Sequence, residues 1–110
     1  MIKTLALAAG LFAATFSAQA ADIAAGKAKA EAQCAACHAT NGDWNKPVDA
    51  SYPKLAGQHK DYLAHVLRDY QSGARSNAIM AGMAAGLSKA DIQNLSAYFA
   101  SMKGDLYLKR

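Results

Sequence analysis

The stretch Cys34-Ala35-Ala36-Cys37-His38 decides how this chain must fold. Two thiols at this spacing lie about one helical turn apart, where each can add across one of the two vinyl groups of a haem. The next residue then falls beneath the iron, where an imidazole nitrogen can coordinate it. C-x-x-C-H therefore reads as the attachment site of a c-type haem, with Cys34 and Cys37 as the attaching side chains and His38 as an iron ligand. A thiol redox pair would belong beside a strand–helix–strand pattern, which this sequence lacks. Structural zinc takes four ligands, and His59 and His65 are not spaced as a second ligand pair. A Cys34–Cys37 disulfide would close too small a loop to constrain the unfolded chain much.

Towards the N-terminus, Lys3 precedes an apolar run from Leu5 to Phe16, and Ala18-Gln19-Ala20 offers small residues for cleavage. Residues 1–20 read as a secretory signal peptide, since the run falls short of the roughly 20 residues that span a bilayer. The expected mature protein is one domain over residues 21–110. The formal net charge of +4 includes Lys3, so losing the leader lowers it by one. A mildly basic balance favours acidic docking surfaces through electrostatic steering. The long basic run or aromatic–basic interleaving of a nucleic-acid binder is missing. So short a domain buries a small core and needs a staple; a large apolar plate fixed by two thioether bonds supplies one.

Alanine dominates the mature composition and Val, Ile and Thr are scarce, which favours helices over strands. A first helix is expected after Asp22, a good N-cap, running towards Cys34. Ile23, Gly26, Ala30, Cys34 and Cys37 recur at helical spacing and give one face of mostly small residues. From Ala39 to Gln58, Asn41-Gly42-Asp43, Pro47 and Pro53 mark a long irregular loop. A second helix is expected over Lys60–Ser72, stopping at Gly73, with Tyr62, Leu63, Val66, Leu67 and Tyr70 as its apolar stripe. Arg75 to Gly86 reads as another irregular segment. A last helix opens at Ser88 with Asp91 as a capping-box partner, carries Ile92, Leu95, Phe99 and Met102 on one face, and ends near Gly104.

A sixth iron ligand has to come from outside the motif. Met80 and Met83 each offer a thioether, a soft donor that raises the potential of haem iron, whereas Met102 on its apolar stripe reads as core filler. His59, at the start of the second helix, is a rival donor; His65 lies off that helix's stripe and reads as solvated. Trp44 suits either a haem edge or a lone surface or satellite-core aromatic. Arg75, with five donors, suits a haem propionate, the loop backbone or plain solvent.

An N-terminal helix leading into C-x-x-C-H, then a loop, a helix, a methionine segment and a closing helix resembles the class I c-type cytochromes. The resemblance is closer still to small bacterial periplasmic electron-transfer cytochromes c. It is carried by Cys34–His38, by Tyr52-Pro53-Lys54-Leu55-Ala56-Gly57-Gln58, by Arg75 through Met80 and Met83 to Ser88, and by Ser96-Ala97-Tyr98-Phe99. It implies an all-α class I cytochrome c fold, with three main helices plus short helical turns and loops wrapped around one covalently bound haem c. It implies Met80 as the sixth ligand, because the family uses the first methionine of Met-x-x-Met at this distance from the arginine and the serine. A contact between Gly26 and Tyr98 should mark the crossing of first and last helices. The family's proline carbonyl that accepts a bond from the ligand histidine, counted back from Lys54-Leu55-Ala56-Gly57-Gln58, is expected near Ala50, with Pro47 three residues earlier.

The implied function is that of a monomeric, periplasmic, monohaem electron carrier and not an enzyme. Its partners would be periplasmic or membrane-bound redox proteins with acidic docking surfaces, with no nucleic acid and no membrane span once the leader is cut. Two alternatives are a dedicated haem subunit of a periplasmic dehydrogenase, and a gas-binding or peroxide-reducing haem protein with an open iron position. Met80 argues against the second.

Overall fold

The computed structural model describes residues 20–106 together with Gly10, and its regular structure is α1 (Ile23–Gln33), α2 (Ala35–His38), α3 (Lys60–Ser72), α4 (Ala78–Ala85) and α5 (Lys89–Ala100). No strand occurs among the described residues. The expected leader, apart from Gly10 and Ala20, lies outside them.

Local chemistry sets the helix ends. Asp22 Oδ1 accepts the Ala25 N–H at 3.0 Å and opens α1. Ser88 and Asp91 form a reciprocal capping box at α5, with bonds of 3.0 and 2.9 Å. Gly73 ends α3 in the left-handed region at φ 82°, a conformation that costs glycine little.

α1 crosses α5 at Gly26. A Cβ there would overlap the Asn94 carbonyl and lie 3.0 Å from Tyr98 Cβ, so the two backbones approach more closely than an alanine would permit. Asn94 ties the crossing further, its Oδ1 accepting the Asp22 N–H at 2.8 Å. The expected Gly26–Tyr98 contact is present.

The core gathers Ala30, Ala39, Trp44, Ala56, Leu63, Leu95 and Phe99. Trp44 belongs to this centre and not to a satellite cluster: it is 6% exposed and meets Phe99 edge-on with ring centroids 4.9 Å apart. The loop after α2 is pinned to the far end of α5, where the Gly57 N–H donates to the Phe99 carbonyl at 2.9 Å. Gly104 rests against the same loop, and a Cβ on it would strike the Ala56 carbonyl.

Two expectations need correction. Residues 75–86 are not irregular throughout, because Ala78–Ala85 forms α4. Asn77 Oδ1 accepts the Met80 N–H at 3.0 Å, and this N-cap starts a helix in an alanine-rich run of high propensity. α5 stops at Ala100 instead of near Gly104; Ser101 caps it, and Met102 packs half-buried against the core beyond its end.

Candidate haem-binding site

α1 passes into α2 through Cys34, which closes one helix and opens the next. The Cys34 N–H donates to the Ala30 carbonyl at 2.8 Å, and the His38 N–H to the Cys34 carbonyl at 3.0 Å. Cys34, Cys37 and His38 therefore sit on one continuous helical turn, both cysteines half-buried and not joined to each other. Burial pushes the Cys34 thiol up to about 11, so in the bare chain it is a neutral thiol at physiological pH.

His38 is 6% exposed, and its Nδ1 lies 2.9 Å from the Pro53 carbonyl oxygen. A carbonyl only accepts, so Nδ1 carries a proton, and in the neutral ring it is Nε2 that keeps the lone pair. An acceptor of this kind orients a metal-binding imidazole and raises its basicity. The acceptor is Pro53, not a residue near Ala50 and not Pro47. Pro53 directly precedes Lys54, so a place three residues further back overshoots it; on the way from α2 the loop turns, the Val48 N–H donating to the Cys37 carbonyl and the Tyr52 N–H to that of Asp49, each at 3.1 Å. The chain regains His38 only after that turn. Tyr52 packs beside the imidazole, ring centroids 6.0 Å apart.

Met80 is half-buried in the first turn of α4, while Met83 is 43% exposed. Two residues that the sequence reading passed over hold this helix. Asn77 caps its start, and Gln71 Nε2 donates to the Ala84 and Leu87 carbonyls at 2.9 and 2.8 Å at its end. The Asn77 cap was legible as an N-cap residue before an apolar run; nothing local signals the Gln71 contact.

The rival donors are placed elsewhere. His59 is an exposed N-cap residue of α3 without a side-chain cap bond. His65 pairs with Asp69 at 3.1 Å on the surface. Arg75 donates to the Tyr62 hydroxyl at 3.3 Å, with its guanidinium 5.3 Å from the Tyr70 ring centroid. Among the described residues, no group of three or more His, Cys, Asp or Glu side chains is arranged to hold a metal ion, so a zinc site lacks its donor set.

The residues present fit a haem. Two thiols share a turn, the adjacent imidazole has its outer nitrogen engaged and its inner one free, and a capped helix carries a half-buried thioether.

Comparison with known proteins agrees with this geometry. The family profile described as Cytochrome c matches residues 23–103. The chain is 43% identical over 97 residues to the thiosulfate dehydrogenase electron acceptor of Thiomonas intermedia, covering 88% of this chain but only 43% of that protein. It is 40% identical over 87 residues to cytochrome c-554(548) of Halomonas halodenitrificans, covering 76% of this chain and all of that one, 100%. The crystal structure of reduced recombinant cytochrome c4 from Pseudomonas stutzeri superposes with a TM-score of 0.60 at 36% identity, over 79% of this chain and 53% of that one. The chain thus spans less than half the length of the first relative and about half that of the solved one.

Proposed function

The chain belongs to the cytochrome c family and carries covalently attached haem c, and from that premise we propose a periplasmic monohaem electron carrier ligated by His38 and Met80. The observation that carries this reading is the buried His38 imidazole, held through Nδ1 by the Pro53 carbonyl at 2.9 Å directly after the paired thiols. Haem iron supplies one-electron chemistry when bound. Cys34 and Cys37 would anchor the group, and His38 Nε2 and Met80 would ligate its iron. The Pro53 contact keeps the imidazole proton on Nδ1 and the ring at one angle, so little reorganises when the charge at the site changes. With His38 and Met80 both ligating the iron, no position would be left for a substrate, which favours electron transfer over gas binding or peroxide reduction.

Residues 1–20 would be a cleaved export leader, with the domain at residues 21–110. No helix among the described residues is long and apolar enough to cross a membrane. One relative is named as the electron acceptor of thiosulfate dehydrogenase; by analogy, a periplasmic dehydrogenase is a fitting donor here.

Intact mass of the purified protein after acid–acetone extraction tests the attachment. It should equal the chain from Ala21 plus one haem, and Cys34→Ser or Cys37→Ser should leave at most one thioether. A mass equal to the bare chain, with haem in the organic phase, refutes it. Ferric spectra test the ligand: Met80→Ala should abolish the weak methionine-to-iron charge-transfer band at the red edge, and Met83→Ala should keep it. The opposite pair of outcomes would reverse the assignment. Absence of the band from the parent itself would make His59 the candidate.

A further inference from the structure

We propose that Gln71 is a positioning residue for the methionine ligand, acting as a two-pronged clamp that holds α4 against the end of α3. The inference deepens the ligand reading above and rests on Met80 being the iron's sixth ligand. α4 has only eight residues, well below the roughly 12–15 at which an isolated helix holds together in water. Its persistence therefore depends on ties at its ends.

At the start, the tie is the Asn77 cap on the Met80 N–H. At the other end, both N–H groups of the Gln71 amide are spent, one on the Ala84 carbonyl and one on the Leu87 carbonyl. Two acceptors facing one nitrogen settle the orientation of the amide, since its oxygen there would meet two carbonyl oxygens. Ala84 lies one turn after Met80 on the same face of α4 and is 0% exposed. Leu87 directly precedes Ser88, the cap of α5. One side chain from the last turn of α3 thus joins the end of the methionine helix to the entrance of the closing helix.

Electron transfer makes this placement matter. A thioether is a weak ligand, and its hold on the iron depends on how rarely the segment bearing it swings away. Every excursion of α4 opens the sixth position to exogenous ligands. The clamp raises the cost of that excursion and leaves Met80 itself untouched.

The chemistry of the clamp is donation, which gives a discriminating pair of variants. Gln71→Glu keeps the size but turns a two-donor group into a carboxylate facing two carbonyl oxygens. Gln71→Lys changes the shape but restores donors, and places a cation near a helix C-terminus, where it is favourable. In the ferric holoprotein, Gln71→Glu should raise apparent cyanide affinity about tenfold, equivalent to about 1.4 kcal/mol, and weaken the charge-transfer band. Gln71→Lys should lie within about threefold of the parent. The reduction potential should fall for Gln71→Glu and be restored for Gln71→Lys. Equal cyanide affinity in Gln71→Glu and the parent overturns the clamp, as does equal weakening in both variants, which would point to shape and not donation. Met80→Ala separates the two claims. If it keeps the band, the ligand reading has failed; if it loses the band while Gln71→Glu behaves as the parent, only the clamp has failed.

Discussion

Replacing Gly26 with alanine tests the packing that brings the haem motif against the closing helix. The added Cβ would overlap the Asn94 carbonyl and sit 3.0 Å from Tyr98 Cβ, where carbon atoms prefer about 3.5–4.0 Å. The obstacle is mainly backbone in the middle of α5, so no rotamer change relieves it and the helices must part. Overpacking of this kind costs about 1–3 kcal/mol, with the upper end expected against a rigid carbonyl. Alanine also improves α1 by about 1 kcal/mol over a mid-helix glycine, which leaves a net loss of about 2 kcal/mol. For a domain of this size that is roughly 8–16 °C in Tm. Guanidinium unfolding of holoprotein, followed together by far-ultraviolet dichroism and the haem absorption band, measures it and checks that the transition is two-state. Gly82→Ala is the control, because nothing lies within 4 Å of its would-be Cβ; it should gain about 0.5–1 kcal/mol. Equal or greater stability in Gly26→Ala would show that the backbones do not meet at this glycine.

Trp44→Ala should cost about 3–5 kcal/mol by emptying the centre of the core, and a loss below 1 kcal/mol in denaturant titration would place that ring outside it. The Asp91 carboxyl is held below its ordinary range chiefly by the Ser88 backbone N–H, with Lys29 assisting. A lowered folded value means that its stabilisation, about 0.3–1 kcal/mol at a helix start, is present above the unfolded carboxylate pKa and fades as pH falls through the folded one. The stability gap between the parent and Asp91→Asn should therefore narrow on acidification; a constant gap would count against it. Bimolecular electron transfer to an acidic partner should slow as salt rises, since exposed charges are screened beyond about 8–10 Å at physiological ionic strength. A salt-independent rate in stopped flow would show that the basic side chains do not steer.

The sequence alone determined what depends on neighbours along the chain. C-x-x-C-H places two sulfurs and an imidazole on one turn whatever surrounds them. Asp22, Ser88 and Gly73 start and stop helices with groups a few residues away, and helical periodicity names the faces that pack. Gly26 was legible because a glycine in mid-helix needs a reason, and the family resemblance supplied its partner. Tertiary structure alone decided which distant groups complete those local pieces. Pro53 meets His38 across a loop that first turns at Asp49–Tyr52, a path that spacing along the chain does not give. Trp44 enters the core because the loop carrying it folds back over Phe99. The end of α4 is tied by Gln71, on another element, which donates to the Ala84 and Leu87 carbonyls. In each case the deciding contact joins residues separated by a loop. The path of a loop follows from how its ends are fixed in space, and no spacing within the loop records it.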